Sequence, residues 1–270
     1  MPRDVAAETR ALPDPTSGGV FTRLIRGFTI PFQALGLMVE HPRLWTFALV
    51  PIVITLVLLS VVVGLLGTYN DDLVALIWAK PPEWYWQILW WPLYVLVFAL
   101  CFVVGALTFP AVVSAPFNDS LSARTERTLT GDYAEEPFNM GRFVGEILSA
   151  VGMSLGRLAL LYGGLLIIFL FGLIPVVGQI LAPVLAPTYT MSWMSAEYLE
   201  YAMGRHRFGF SHVFKTVRAN YALCLGFGGG IFLLLMVPLM NLLFIPVGVV
   251  GGTLLYTRLK QHGALPAPRA

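Results

Sequence analysis

The sequence predicts an all-α integral membrane protein with two long transmembrane helices, two helical hairpins and connecting amphipathic helices. Hydrophobic residues make up 57% of the chain and charged residues only 12%, about half the charged share of a soluble domain. Stretches without Asp, Glu, Lys or Arg run over Leu44–Asn70, Trp84–Asn118, Leu158–Ala196 and Ala219–Thr257. Each is longer than the roughly 20 apolar residues that cross about 30 Å of hydrocarbon. A soluble fold cannot accommodate these runs.

The placement of basic residues predicts the topology. Of the 17 Lys and Arg residues, only Lys80 falls in the segment 69–83, where it is accompanied by three acidic residues. Because cytoplasmic loops collect Lys and Arg, we expect this segment to lie outside and both termini to lie in the cytoplasm. Leu44–Leu66 then crosses the bilayer outward and Ile88–Ala115 crosses back. The protein is therefore expected to be a multi-pass membrane protein.

The last two charge-free windows predict helical hairpins. Each is longer than one crossing requires and shorter than two crossings with a turn, which need roughly 44 residues. Each also has a proline near its middle, Pro175 or Pro238. Hairpins that enter from the cytoplasm and turn inside the bilayer fit these lengths, and two tilted full crossings fit nearly as well.

The two hairpin windows, about 158–196 and 219–257, are predicted to be an internal repeat. One constant offset aligns Gly163, Pro175, Pro183 and Val184 with Gly226, Pro238, Pro246 and Val247. Paired, proline-interrupted segments are a feature of solute pathways in transporters. Prolines of this kind equally serve as structural bends in membrane helices.

Polar ends and an amphipathic segment complete the predicted organisation. Residues 1–19 are expected to form a flexible cytoplasmic tail, residues 20–260 a single membrane domain and residues 261–270 a second cytoplasmic tail. Apolar residues within 21–32 recur at i, i+3, i+4 and i+7, with arginines on the other side. This pattern is typical of a helix that lies in the membrane interface.

Residues that could support catalysis or bind a metal are sparse. The histidines His41, His206, His212 and His262 have no partner at metal-ligand spacing, and we expect them to be solvated loop residues. The sequence contains no pattern typical of a nucleophile and its base, and no glycine-rich phosphate loop. We therefore expect no enzymatic activity, no cofactor, no metal site and no nucleic-acid partner.

The start of the first long helix is a candidate anion-binding site, formed by Arg43, Leu44, Trp45 and Thr46. Pro42 can begin a helix, and the amides of the following turn lack intrahelical partners. A helix N-terminus beside a guanidinium offers N–H donors and positive charge to an anion. In the alternative interpretation, Arg43 and Trp45 only anchor the helix at lipid headgroups.

Three further polar residues, Asn118, Gln179 and Asn241, lie within or at the ends of apolar windows. They could line a solute pathway. They could equally bond the broken backbone at the hairpin tips, where irregular structure needs hydrogen-bonding partners.

Four segments carry a resemblance to a known family: HPRLWTFALVP at 41–51, SAPFNDSLSARTE at 114–126, IPVVGQILAPVL at 174–185 and VPLMNLLFIPV at 237–247. Together they resemble the CysZ sulfate permeases, relatives of the etoposide-induced proteins, over roughly residues 20–258. The resemblance implies two long transmembrane helices, two hemi-penetrating hairpins, homo-oligomers and sulfate uptake that feeds cysteine synthesis. It favours hairpins over full crossings.

The sequence departs from this family where the resemblance places sulfate. The family has a Gly-x-Arg-Arg turn at the start of the first long helix; here Arg43 replaces the glycine, and Trp45 and Thr46 replace the arginines. Trp and Thr cannot provide a bidentate arginine pair. The leading hypothesis is a permease for sulfate or a related oxyanion. The alternatives are a non-transporting membrane scaffold that interacts with lipids, and a transporter of another solute.

Overall fold

The computed structural model describes residues 14–131, 159–206, 208–237 and 241–265, and all regular secondary structure in these ranges is helical. The helices are α1 (Val20–Glu40), α2 (Arg43–Ala75), α3 (Trp84–Thr130), α4 (Ala159–Gly172), α5 (Val177–Arg205), α6 (Phe210–Ala219), α7 (Tyr221–Leu235) and α8 (Asn241–Gln261). The predicted all-α membrane fold is confirmed. Most of the predicted N-terminal tail lies outside the described residues.

The chain divides into two compact units. The hairpin unit, residues 49–117, contains most of α2 and the first part of α3. Both helices are long and apolar enough to cross a membrane: an 18-residue window has a mean hydropathy of 3.0 within Arg43–Ala75 and 2.3 within Trp84–Ala106. The two predicted transmembrane helices are therefore present. The second helix, α3, contains the predicted crossing Ile88–Ala115 and continues beyond it to Thr130.

Polar contacts join the two helices of the hairpin unit at the end that is predicted to face outward. The Asn70 side-chain amide donates to the carbonyl of Tyr94 at 3.2 Å. The Trp90 indole donates to the carbonyl of Trp78 at 3.1 Å, just after α2 ends. Most apolar side chains of both helices lie on the surface of the unit. This arrangement is typical of helices that face lipid.

The packed unit contains residues 14–48 and 118–265 of the described chain. Its core brings α1, α5, α7 and α8 together. Glycines allow α1 and α7 to touch along their backbones: a Cβ added at Gly226 would overlap the carbonyl of Leu24, and one added at Gly27 would overlap the carbonyl of Leu223. Small residues at such crossings are the usual means of close helix packing in membranes.

Two helical hairpins lie within the packed unit. The first hairpin consists of α4 and α5, which are connected by residues 173–176. Within this connection Val176 has a φ of 66°. Tyr189 on α5 donates to the carbonyl of Leu160 on α4 at 2.9 Å. The second hairpin consists of α7 and α8, and the preceding helix α6 meets α7 at a bend of 105°. The first break falls at Pro175, as predicted, whereas Pro238 lies outside the described residues.

Candidate functional site

The predicted anion site lies at the first turn of α2. Arg43 and Thr46 are exposed, whereas Leu44 is buried and Trp45 packs against the core. The amide of Leu44 donates to the carbonyl of His41 at 2.9 Å, and the amide of Trp45 donates to the carbonyl of Pro42 at 3.1 Å. Because these two amides already have acceptors, the Arg43 side chain is the stronger candidate donor for an anion at this helix start.

A second arginine approaches this helix start from α3. The guanidinium of Arg124 lies 4.2 Å from the centroid of the Phe47 ring, a cation–π contact. Phe47 follows Arg43 by four residues, so the two side chains lie on the same face of α2. The structure thus adds a basic residue that the sequence analysis missed, although its signal was present in the family-like segment that ends at Glu126.

On α3, a row of polar side chains also faces the rest of the packed unit. Asn118, Ser122 and Glu126 recur every four residues and therefore share one face. The Asn118 amide donates to the hydroxyl of Tyr201 on α5 at 3.3 Å. Ser122 and Thr253 of α8 share a buried hydrogen bond of 2.5 Å. We call this row, with its partners on α5 and α8, the polar seam.

Glu126 ends the polar seam in a group of charges. It is only 3% exposed, and its carboxylate lies 2.8 Å from Arg205, 2.8 Å from His206 and 3.9 Å from Lys260. Burial alone would raise the pKa of Glu126, but hydrogen bonds from His206 and Arg205 outweigh it and hold this pKa below its ordinary value. The Glu126 carboxylate thus joins the ends of α3, α5 and α8 through charged contacts.

Two histidines differ from expectation. His206 is a partner of Glu126 and stacks on Tyr256 with 5.2 Å between the ring centroids. His212 lies on α6 and is 6% exposed. The expectation that both are solvated loop residues is wrong, because the amphipathic helix α6 and the end of α5 fold back onto the core. Among the described residues, no group of three or more His, Cys, Asp or Glu side chains could hold a metal ion.

The three predicted pathway residues are not gathered in one place. Asn118 is in the polar seam near the end of α5, whereas Gln179 is exposed in the first turn of α5. At about 1.5 Å per residue, roughly 30 Å of helix separates Gln179 from Tyr201, the partner of Asn118. Asn241 begins α8, but its side chain lies outside the part of the structure that can be described. The amides of Asn118 and Gln179 could serve different stages of a pathway, but not one binding site.

Comparison with known proteins gives a consistent set of relatives. Residues 30–246 match the family described as sulfate transporter CysZ/etoposide-induced protein 2.4. The sulfate transporter CysZ of Pseudomonas aeruginosa strain PAO1 is 29% identical over 84% of this chain and 93% of its own length. The CysZ protein of Pseudomonas syringae pv. tomato is 27% identical over 86% of this chain and 92% of its own length. That of Pectobacterium atrosepticum is 28% identical over 81% of this chain and 80% of its own length.

Proposed function

This chain belongs to the family of the sulfate transporter CysZ and etoposide-induced protein 2.4, and from that premise we propose that it is a permease for sulfate or a related oxyanion. The observation that carries the proposal is the similarity to sulfate transporters over more than four-fifths of the chain. Sulfate taken up in this way would feed cysteine synthesis, and no enzymatic step is required.

The proposed site of anion entry or release is the start of α2. Arg43 supplies an exposed guanidinium there, and Arg124 supplies another from α3. Guanidinium groups bind tetrahedral oxyanions through pairs of parallel N–H···O bonds, which a single ammonium group cannot reproduce. In this proposal Arg124 partly replaces the arginine pair that Trp45 and Thr46 cannot provide, and Leu44 helps to anchor the turn in the core.

We further propose a bacterial inner-membrane location, with both termini in the cytoplasm and with homo-oligomers. The charge distribution along the sequence supports the orientation. Large exposed side chains on the first hairpin, among them Ile167, Phe169 and Val184, support contacts with membrane lipids or with a second copy of the chain. Exposed apolar surface of this kind marks a membrane or protein interface.

Uptake of labelled sulfate into proteoliposomes tests the proposed function. We expect saturable uptake by the purified wild-type protein, with chloride and phosphate competing less well than unlabelled sulfate. Loss of a charge-assisted hydrogen bond costs about 1.5–3 kcal/mol, so Arg43→Ala and Arg124→Ala should each weaken the apparent sulfate affinity at least about tenfold. Arg218→Ala, on the exposed side of α6, removes the same charge elsewhere and should leave uptake unchanged.

The outcomes separate the function from its site. Uptake that survives both substitutions would retain the permease and move the anion site away from α2. Uptake no faster than in empty vesicles, from folded wild-type protein, would refute the permease.

A lipid-interacting scaffold that transports nothing is the second candidate function. It is favoured by the replacement of the family's arginine pair with Trp45 and Thr46, and by the exposed apolar surface of the first hairpin. This candidate predicts co-purifying lipid whose amount does not respond to sulfate, together with no ion flux.

A further inference from the structure

Arg258 is a buried cation for which the described residues provide no counterion. It lies in the last turn of α8 and is only 8% exposed. Its Nη2 donates to the side-chain oxygen of Gln33 on α1 at 2.7 Å. Its Nε is also buried and has no acceptor. Within residues 14–131, 159–206, 208–237 and 241–265, no carboxylate forms an ion pair with this guanidinium.

The surroundings of Arg258 contrast with those of the nearby basic residues. Arg205 and Lys260 share the carboxylate of Glu126, whereas the neutral amide of Gln33 is the partner of Arg258. A buried charge without a partner of opposite sign is strongly unfavourable. Burial lowers the pKa of Arg258 to about 10, so the group still carries its full charge at neutral pH. The charge is therefore present and uncompensated.

The geometry of Nε and Nη2 suits an oxyanion. Nε and Nη2 form one edge of the guanidinium, and that edge can bind two oxygens of a single anion through parallel hydrogen bonds. In the structure, Nη2 donates to the Gln33 oxygen and Nε has no acceptor. An anion that displaced this oxygen would satisfy both donors and neutralise the buried charge.

Gln33 also provides the route by which an anion reaches Arg258. Its side chain is exposed on α1, and its amide nitrogen donates to the hydroxyl of Thr29 at 3.2 Å. Because Gln33 lies at the surface, rotation of its side chain would withdraw its oxygen from Nη2. The freed amide nitrogen of Gln33 could then donate to the bound anion.

We propose that Arg258 and Gln33 form an oxyanion-binding site in which the Gln33 side chain holds the place of the ligand. The site is separate from Arg43 and goes beyond the proposed transport function, because binding there does not require flux. Arg258 also follows the residues that match the family, 30–246. The ligand is a tetrahedral oxyanion, either a free sulfate or phosphate ion or the phosphate of a lipid headgroup.

Replacement of Gln33 by glutamate tests the site with little risk to the fold. Gln33→Glu is nearly isosteric, lies at an exposed position and places a carboxylate beside Nη2. The variant should have a higher thermal unfolding midpoint than the wild type and should bind anions at this site at least tenfold more weakly. Thr22→Glu adds the same charge at an exposed position near the other end of α1 and serves as the matched control.

Binding is measured by calorimetric titration and by thermal unfolding of the purified full-length protein, with sulfate, inorganic phosphate or chloride at equal ionic strength. All variants carry Arg43→Ala and Arg124→Ala, so that the proposed α2 site does not contribute. We expect sulfate or phosphate, but not chloride, to stabilise the Thr22→Glu protein and to have no effect on the Gln33→Glu protein. Arg258→Gln should also lose the response to anions.

The same protein in nanodiscs distinguishes the sources of the anion. If free sulfate binds equally well in phosphatidylglycerol and phosphatidylcholine nanodiscs, the site takes the soluble ion. In the other outcome, sulfate no longer stabilises the Thr22→Glu control in phosphatidylglycerol nanodiscs, while Gln33→Glu keeps its higher thermal unfolding midpoint. The site then takes a lipid phosphate. Equal anion responses in Gln33→Glu and Thr22→Glu, or no response in either in both membranes, would overturn the proposal, whatever the result of the uptake assay.

Discussion

The two helical hairpins of the packed unit, which the sequence predicts to be an internal repeat, differ in burial. In the first hairpin, Val184 is 63% exposed, and in the second its aligned counterpart Val247 is fully buried. The first hairpin presents its apolar residues on the surface, whereas α7 and α8 form much of the core with α1 and α5. Hydropathy therefore identifies both segments as membrane-embedded but does not show which one packs against protein.

Glycines account for much of the difference. Gly163 and Gly226 occupy equivalent positions of the repeat, yet a Cβ at Gly163 would meet no atom within 4 Å, whereas a Cβ at Gly226 would overlap the backbone of α1. The second hairpin continues with Gly228, where a Cβ would overlap the carbonyl of Met191 on α5. At Gly226 and Gly228, small residues thus let the second hairpin approach the backbones of α1 and α5.

Alanine at the two equivalent glycines should give the largest difference between the hairpins. Gly226→Ala forces α7 away from α1, and overpacking against a backbone atom costs about 3 kcal/mol or more. We expect this variant to elute as aggregate in size-exclusion chromatography, or to unfold at a much lower temperature in detergent. Gly163→Ala should behave as the wild type or slightly better, since alanine favours helix. Equal stability of the two variants would mean that α1 and α7 do not cross as closely as described.

Glu126 provides the next test, because it joins the ends of both hairpins. It binds Arg205 at the end of α5 and lies near Lys260 at the end of α8. Glu126→Gln breaks a buried ion pair and should reduce the free energy of unfolding by about 3 kcal/mol. Glu83→Gln, at an exposed position of the hairpin unit, should have little effect. A normal unfolding temperature for Glu126→Gln would show that the hairpin ends are held by apolar packing alone.

The pH dependence of this effect has a definite sign. Because the folded pKa of Glu126 lies below its ordinary value, its contribution is complete above the unfolded glutamate pKa of about 4.3. The contribution is lost as the pH falls through the lower folded value. The difference in stability between wild type and Glu126→Gln should therefore be constant near neutral pH and shrink below about pH 4.

The sequence predicted the elements whose signals are local. Charge-free length identified α2 and α3, proline located the break at Pro175, and apolar spacing predicted α1. No sequence prediction covered the continuation of α3 to Thr130, because charge-free length indicates only the part of a helix that crosses the bilayer. In the structure the polar residues of this continuation face protein partners on α5 and α8. Polar residues inside a packed helix and residues beyond its end look alike in a single sequence.

The site was less predictable, because its contacts join distant parts of the chain. Arg124 reaches the start of α2 from α3, and Arg258 meets Gln33 across most of the sequence. No local pattern in one sequence encodes such pairs. The basic residues themselves were visible, but whether each one has a counterion depends on tertiary packing. The helix start at Arg43 was predictable for the opposite reason, since proline and arginine are adjacent there.

Trimming the aligned valines compares the hairpins at a single side chain. Val247→Ala removes buried atoms and leaves a cavity, which should cost about 2 kcal/mol of unfolding free energy. Val184→Ala removes exposed atoms and should change stability by less than about 0.5 kcal/mol. Thermal unfolding midpoints of both variants in the same detergent give the comparison. A larger loss for Val184→Ala would indicate that the first hairpin is buried in an oligomer.

Substitutions at the tip of the first hairpin should have the smallest effect on stability. The same substitution should be stabilising at one residue and destabilising at the next. Val176 has a φ of 66°, a left-handed conformation that is unfavourable for a β-branched side chain, whereas Val177 begins α5. Glycine adopts positive φ without this strain, so Val176→Gly should stabilise the protein by about 1 kcal/mol. Val177→Gly places glycine at the start of a helix and should destabilise the protein by a smaller amount, roughly 0.4 kcal/mol. Thermal unfolding of the two variants checks the prediction. If both substitutions were destabilising, the conformation of the tip would be set by packing around Val176 and not by the short turn between α4 and α5.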